Sequence, residues 1–433
     1  MHQYRRYAED LRGLAQLWSV WTASPDKPRL ERALNGEAAQ ILAERVPVDV
    51  LRRAGAFFTP QALAEKLEAR LASVVTSGGV VLDPACGAGD LLLVCARRLP
   101  IARSLEATVE AWGRQLHGFD IHSEFITATK ARLILLAIAR GARGRLLQVD
   151  VDDVFPNIRR GDFLATTRLE SVPDCIIVNP PFQRVKTPRG ITWGTGLVTQ
   201  AAVFIDKCTS LVPTGTRIAA LLPDVLRSGS RYGHWRRLVR CRASVKDIEQ
   251  LGVFSANADV DVFLVTLTRR DAERQAHTVW LPADASQNDE PILGSRCRVR
   301  VGPVVPFRDK LVGSFHPYVT TAVLPPWGTT KRVGRRRYDG ETFKTPFVAV
   351  RRTSRANDHH RAVATIVQHS RRVAVENHVV VLLPNNPTME ECQYLLSVLR
   401  DPRTTDWLNK RICCRHLTTS VLKELPLWSS NGR

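Results

Sequence analysis

A tetrapeptide rich in hydrogen-bond acceptors, Asn179-Pro180-Pro181-Phe182, directly follows an apolar run at residues 175–178. The run predicts a buried strand, and the two prolines stop its ladder while fixing an extended backbone. The Asn179 amide oxygen and the Pro180 carbonyl would therefore be held rigidly at the end of the strand. Two such acceptors can bind both hydrogens of an amino group on an aromatic ring. A proline-stiffened turn with no binding role would give the same pattern.

Binding both hydrogens changes the chemistry of that amino group. An aromatic amine is a poor nucleophile because its lone pair is delocalised into the ring. Acceptors that favour a more tetrahedral nitrogen free the lone pair to attack a sulfonium methyl group, and preorganised dipoles then stabilise the developing charge. Phe182 offers a flat face to hold a base removed from its stack. The tetrapeptide therefore predicts methyl transfer to an exocyclic amine.

A glycine-bearing turn lies upstream, in Val81-Leu82-Asp83-Pro84-Ala85-Cys86-Gly87-Ala88-Gly89. A strand, a turn of small residues and a helix let a ligand approach the backbone beyond the carboxyl end of the strand. The third glycine of a dinucleotide fingerprint is missing, and the acidic Asp83 suits a cofactor that carries an amino-acid cation. Alone, the turn is also compatible with a plain tight connection.

The order of these motifs resembles the gamma-class N6-adenine DNA methyltransferases of restriction-modification systems. In that family a Phe-x-Thr-Pro element precedes the glycine turn, as Phe57-Phe58-Thr59-Pro60 does here. The resemblance implies that the catalytic residues are Asn179, Pro180, Pro181 and Phe182. It also implies that S-adenosyl-L-methionine is the cofactor and that adenine is flipped out of duplex DNA.

The resemblance further implies a cofactor site made of several short motifs. Its residues would be Phe57, Phe58, Thr59, Pro60, Asp83, Pro84, Ala85, Gly87, Gly89, Asp120, Asp162 and Phe163. Asp120 would bind the ribose hydroxyls, Asp162 would accept from the adenine amino group, and Phe163 would lie against the adenine ring. Phe254 would be a second base-stacking aromatic, although a phenylalanine that simply packs the core fits that position equally well.

The pattern of elements predicts the frame that positions these residues. Residues 1–50 have the spacing of amphipathic helices, and short apolar runs alternate with helical stretches over residues 51–275. This alternation predicts an α/β domain with a parallel, Rossmann-like, doubly wound sheet. Residues 276–433 mix short strands, loops and closing helices. We interpret them as a C-terminal α+β target-recognition domain, in keeping with the resemblance.

The charge of the chain favours a polyanionic partner. Lys and Arg number 62 against 42 Asp and Glu in 433 residues, a net charge of +20. Binding to double-stranded DNA would use such a charge, although a generally arginine-rich proteome would also produce it. Candidate DNA-binding residues are clustered beyond residue 300, where a solvated basic face is the alternative: Arg335, Arg336, Arg337, Arg351 and Arg352.

The remaining features point to a reduced, intracellular enzyme. The nine cysteines form no Cys-x-x-Cys pair, so we expect neither a metal site nor disulfides. No signal peptide or membrane-spanning run is visible, which predicts a cytoplasmic protein without a membrane partner. We find no phosphate loop and no nuclease triad. Methylation of RNA adenine or of a protein glutamine, a non-catalytic DNA-binding scaffold, and a cognate restriction or defence subunit as partner stay open.

Overall fold

The structure is a computed structural model that describes residues 4–20, 26–55, 57–146, 153–254, 260–271, 280, 291–412 and 415–428. The chain divides into two compact units. The first comprises Met1–Arg227 and Arg231–Trp280, and the second comprises Ser228–Ser230 and Leu281–Arg433.

The first helix, α1, is amphipathic. Tyr7, Leu11 and Ala15 follow one another at helical spacing and form its buried face, and Tyr4 just before the helix is buried too. The α-helices assigned up to residue 242 are α1 Arg5–Val20, α2 Lys27–Leu34, α3 Glu37–Arg45, α4 Val48–Ala54, α5 Gln61–Ala69, α6 Ala72–Thr76, α7 Asp90–Ala96, α8 Leu105–Gln115, α9 Ser123–Ala139, α10 Gln200–Leu211, α11 Val225–Ser228 and α12 Gly233–Arg242. The helical nature predicted for residues 1–50 is confirmed by α1 to α4.

A seven-stranded sheet forms the centre of the first unit. The strands assigned in this unit are β1 Val81–Asp83, β2 Leu116–Asp120, β3 Ile158–Arg160, β4 Cys175–Val178, β5 Arg184–Lys186, β6 Leu197–Thr199, β7 Arg217–Pro223, β8 Ala243–Val253 and β9 Asp261–Arg269. The order in the sheet is β3-β2-β1-β4-β7-β9-β8, while β5 and β6 pair separately. The carboxyl ends of β1, β2 and β4 are therefore adjacent.

The sheet is mixed, so the predicted parallel arrangement holds for five strands but not at one edge. Strands β3, β2, β1, β4 and β7 run parallel, but β9 is antiparallel to both β7 and β8. The cause is local, because β8 and β9 are separated by only a few residues and so return antiparallel.

Both faces of the sheet are covered, as the doubly wound prediction requires. Along β4, Cys175 and Ile177 belong to one apolar cluster, whereas Ile176 and Val178 belong to the other. This alternation follows from the two-residue repeat of a strand. The Rossmann-like α/β fold class is thus confirmed.

The second unit is α+β. Its elements are α13 Leu293–Arg296, β10 Cys297–Val301, β11 Phe315–Val319, β12 Thr329–Thr330, β13 Gly334–Arg337, β14 Phe347–Arg351, β15 Ala364–Val367, β16 Ala374–Val375, β17 Val379–Pro384, α14 Met389–Arg400, α15 Pro402–Arg411 and α16 Thr419–Lys423. A five-stranded sheet has the order β10-β17-β14-β15-β12, and a three-stranded sheet has the order β13-β11-β16. Val348 and Val350 of β14 pack in the cluster that the closing helices share. Within the described ranges, no helix combines the length and apolarity needed to cross a bilayer.

Candidate active site

One pocket lies where the sheet of the first unit ends. Parallel strands present their carboxyl ends at one edge, and the segments that follow β1, β2 and β4 converge there. The residues that line the pocket are Gly55, Phe57, Phe58, Thr59, Asp83, Ala85, Cys86, Gly87, Asp90, Leu91, Asp120, Ile121, His122, Phe125, Asn179 and Pro181. Residues separated by more than 120 positions in the sequence therefore share one cavity.

The glycine turn after β1 is held by hydrogen bonds on both sides. Gly87 N donates to Asp120 Oδ2 at 3.1 Å, and Gly87 O accepts from Thr129 Oγ1 at 2.9 Å. Gly87 has a φ of 52°, and a Cβ there would meet the Phe58 ring at 3.0 Å. A side chain at this position would be strained and crowded. The turn is thus fixed close to the aromatic wall of the pocket.

Asp83, the last residue of β1, carries a buried carboxyl with one unused oxygen. Oδ1 accepts from Ala85 N at 3.1 Å, whereas Oδ2 is buried without a hydrogen-bond partner among the described residues. Burial raises the pKa of this carboxyl well above its usual range, and nearby carboxylates add to the rise. The site can therefore accept a cation or a hydrogen-bond donor at this oxygen.

Asn179 stands immediately after β4 in the same pocket. Its Nδ2 donates to Thr59 Oγ1 at 3.0 Å, and its Oδ1 is buried with no partner in the part of the chain that the structure describes. Pro181 packs against Gly55 so closely that a Cβ on that glycine would lie 2.7 Å from Pro181 Cβ. The hydrogen bond to Thr59 orients the Asn179 amide and leaves its oxygen Oδ1 available as an acceptor.

The two predicted base-stacking residues, Phe182 and Phe254, differ in exposure. Phe182 is half-buried, and its ring lies edge-to-face with Phe254 at 5.7 Å between centroids. Phe254 itself is buried. The two predicted base-stacking residues are thus neighbours, with Phe182 the more accessible.

Two residues predicted at the cofactor's adenine are not brought to the pocket. Phe163 is only 1% exposed, because its ring packs between Phe119 and Phe204 in the core. Asp162 is exposed and accepts a hydrogen bond from Leu164 N at 2.9 Å, capping a short 3-10 helix. Phe163 therefore lies in the core and Asp162 faces solvent, and their roles at the adenine end of the cofactor stay predictions.

Other predicted residues support the pocket from outside its lining. Pro60 precedes α5, and Pro84 lies in the turn after β1. Gly89 is the N-cap residue that precedes α7, with a φ of 87°, and a Cβ there would lie 2.7 Å from Thr129. Pro180, which follows Asn179, is buried. These positions fix the backbone on either side of the lining residues.

Sequence reasoning missed several residues that shape the site. Asp90, His122 and Phe125 line the pocket, and Phe125 packs edge-to-face against Phe58 at 5.0 Å. The fully buried Arg132 donates to Asp90 Oδ1 at 2.8 Å and to Ala88 O at 2.6 Å. An arginine within the otherwise apolar stretch of α9 was the available sign, since such a charge needs buried partners.

The basic residues predicted to bind DNA fall into two groups in the second unit. Arg335 and Arg337 are exposed on β13. The other three are half-buried, and each donates to backbone carbonyls of this chain: Arg336 to Pro306 O and Asp309 O, Arg351 to Leu324 O, and Arg352 to Asn377 O. Within the described ranges, the Arg335 and Arg337 side chains make no hydrogen bond to a backbone carbonyl, and each lies over the Phe315 ring instead.

Comparison with known proteins gives a match over more than half of the chain. A family model described as N-6 DNA Methylase matches residues 39–291. No curated protein matches the chain.

Solved structures that are similar to this chain share little sequence identity with it. The type IIL restriction-modification enzyme MmeI, in complex with DNA, is 12% identical over 90% of this chain and 69% of its own, with a TM-score of 0.57. The type IIG restriction endonuclease BpuSI is 13% identical over 98% and 70%, with a TM-score of 0.44. A modification subunit assigned to a type I restriction enzyme of Vibrio vulnificus YJ016 is 18% identical over 54% and 49%, with a TM-score of 0.38. The chain spans about half the length of this last protein.

Proposed function

Since the chain belongs to the N-6 DNA methylase family, we propose that it is an S-adenosylmethionine-dependent enzyme that methylates the N6 amino group of adenine in duplex DNA. One observation carries this proposal. Asn179 Oδ1 is buried without a partner among the described residues, in the same pocket as the similarly unused Asp83 Oδ2. Buried polar atoms are normally paired, so two such oxygens in one pocket are available to accept hydrogen bonds from a ligand.

The polar groups of the pocket fit the cofactor. Asp83 Oδ2 would accept from the ammonium of its amino-acid end, and Asp120 would accept from its ribose hydroxyls. Phe57 and Phe58 would supply apolar contacts, and Gly87 would let the backbone approach closely. When bound, S-adenosylmethionine supplies an electrophilic methyl group on a sulfonium sulfur. Asp162 stays a prediction for the adenine end, whereas the buried Phe163 would need to move.

Asn179 would act on the target amine. Its Oδ1 and the Pro180 carbonyl would each accept one hydrogen of that amine, which favours a tetrahedral nitrogen with a localised lone pair. Thr59 would keep the amide oriented by accepting from Nδ2. Phe182 would stack on the extruded base, with Phe254 behind its ring. The excess proton of the methylated nitrogen would leave to water.

DNA is the substrate that the charge of the chain supports best. The net charge of +20 suits a polyanion, and the exposed Arg335 and Arg337 can neutralise phosphates. A partner restriction or defence subunit and a cytoplasmic location remain predictions. RNA adenine, protein glutamine and a non-catalytic scaffold are alternatives that the following experiment separates.

The test is expression in a host that lacks DNA methylases, followed by sequencing of its DNA for modified bases. We expect N6-methyladenine at a defined sequence, and none in Asn179→Ala, although that variant should still bind S-adenosylmethionine in calorimetry. Purified enzyme with tritiated cofactor should label duplex DNA rather than ribosomal RNA or a release factor. Cofactor binding without any label would favour the scaffold, and full modification by Asn179→Ala would remove Asn179 from its role.

A further inference from the structure

One phenylalanine of the second unit is completely exposed. Phe307 has a relative exposure of 104% and lies at the tip of a turn between β10 and β11. A single exposed apolar residue is ordinary, but Leu311, Val312 and Phe315 are also exposed nearby in the sequence. This segment, residues 305–315, is hereafter the Phe307 turn.

The Phe307 turn is held by several hydrogen bonds. Val305 O accepts from Arg308 N at 3.1 Å and from Asp309 N at 2.9 Å, while Val305 N donates to Asp309 Oδ2 at 2.8 Å. From the neighbouring strand β13, Arg336 donates to Asp309 O at 2.8 Å. The far end is fixed at Gly313, where φ is 82° and a Cβ would meet the Tyr338 carbonyl at 2.9 Å. An exposed ring on a braced turn is preorganised for binding.

The strands beside the turn concentrate positive charge. Residues 305–341 contain seven Lys and Arg against three Asp and Glu, a net charge of +4. The acid Asp309 is used within the turn, and Glu341 pairs with Arg300 at 2.9 Å. The turn itself carries the exposed Arg308 and Lys310.

Two of these cations share one aromatic ring. Arg335 and Arg337 lie 5.1 and 4.7 Å from the centroid of the exposed Phe315 ring. The strand alternation explains this, since Phe315 pairs with Arg337 and Pro317 with Arg335, while Arg336 points to the opposite face. Neither has a carboxylate partner in the described part of the chain. Two positive charges close to one ring attract an anion, and a phosphodiester group of nucleic acid is such an anion.

We propose that Phe307 inserts into the base stack of duplex DNA, while Arg335 and Arg337 of the edge strand β13, which the turn contacts through Arg336, bind a backbone phosphate. The choice of duplex DNA as the occupant rests on the proposed function. An acidic protein surface would also pair with the two arginines, but the net charge of +20 favours a polyanion such as duplex DNA. An apolar side chain inserted at a base step is a known way to hold DNA in a kinked form.

The test measures the affinity for a short mixed-sequence duplex by fluorescence anisotropy at several salt concentrations. Phe307→Ala should weaken binding roughly tenfold without changing the salt slope, because no phosphate contact is lost. Phe307→Leu should retain most of the affinity. Arg335→Ala and Arg337→Ala should each lower the salt slope by up to about one. Val172→Ala, which removes another exposed apolar side chain, serves as the matched control and should change nothing.

A second readout detects insertion itself. A nicked plasmid is saturated with protein and then ligated, so that unwinding of the DNA by the protein is retained as a change in supercoiling. We expect this change with the natural chain and a smaller one with Phe307→Ala. Equal affinity and equal unwinding in that variant would overturn the proposal, even if the enzyme methylates DNA normally. Loss of a dimer or other assembly by light scattering, at unchanged DNA affinity, would assign the surface to a protein partner and overturn it too. Weaker binding by Phe307→Ala would support the insertion even if no methylation is ever detected.

Discussion

Thr59 and Asn179 are 120 positions apart in the chain, yet Thr59 Oγ1 accepts a hydrogen bond from Asn179 Nδ2 at 3.0 Å. The contact fixes which end of the amide faces the ligand. With Nδ2 bound to the threonine, the acceptor Oδ1 is the atom left unused in the pocket. Thr59 is therefore a positioning residue for the proposed reaction.

Thr59→Val should remove the hydrogen-bond acceptor for Asn179 Nδ2 while keeping the shape of the side chain. Without the acceptor at residue 59 the amide can rotate, so we expect kcat to fall roughly ten- to hundredfold, because small misplacements of a reacting group have effects of that size. The KM for S-adenosylmethionine should change less. Thr59→Ser keeps the hydroxyl and should restore most of kcat. Steady-state kinetics check this, and equal losses in both variants would show that packing, not the hydrogen bond, is what matters.

Asp83 should make the stability of the ligand-free protein depend on pH. Burial raises the pKa of this carboxyl well above its usual range, so the folded state binds its proton more tightly than the unfolded chain. The stabilising contribution is therefore complete below the ordinary carboxyl pKa and is lost as pH rises through the folded pKa. Asp83→Asn cannot titrate, so its Tm should fall less than that of the natural chain between acid and neutral pH.

Asp83 should also make cofactor binding depend on pH, in the direction opposite to that of stability. An ammonium favours the ionised carboxylate, so cofactor affinity of the natural chain should rise with pH, whereas Asp83→Asn should bind weakly at every pH. Thermal melts without ligand and calorimetry with S-adenosylmethionine measure the two quantities. Parallel pH profiles for both proteins would mean that Asp83 is not the titrating group.

Much of the frame could be predicted because it follows from local patterns. The apolar run at residues 175–178 was predicted to be a strand and coincides with β4, and the alternation of short apolar runs with helical stretches predicted the α/β fold. Convergence of Asp83, Asp120 and Asn179 then follows from parallel strands that end at one edge. The edge strand β8 was missed because most of its side chains are only half-buried and its apolar pattern is weak.

The details of the site depended on tertiary contacts that no local pattern contains. The sequence cannot tell that Thr59 meets Asn179, or that the ring of Phe163 is enclosed by Phe119 and Phe204. Arg336 differs from its two neighbours only through the alternation of β13, which becomes visible once the strand is known.

Arg132 should be important for stability although it does not line the pocket. Its guanidinium is fully buried and joins three segments: Nε donates to Ala33 O at 2.8 Å, and Nη1 donates to Ala88 O and to Asp90 Oδ1. Arg132→Met keeps the aliphatic length but leaves two carbonyls and one carboxylate without their donor. Removing one partner of a buried, hydrogen-bonded charge costs about 3–5 kcal/mol. Asp90 retains some exposure, so we expect a loss near the lower figure.

Denaturant unfolding of the natural chain and Arg132→Met measures this loss, with the m-value as a check on two-state behaviour. Arg114→Met is the matched control, because Arg114 is an exposed partner of Glu110 on one helix, and such pairs contribute at most about 0.5 kcal/mol. Since Ala88 lies in the glycine turn and Asp90 directly follows it, Arg132→Met should also weaken S-adenosylmethionine binding, whereas Arg114→Met should not. Equal unfolding free energies for the two variants would show that the buried arginine does not hold the turn in place.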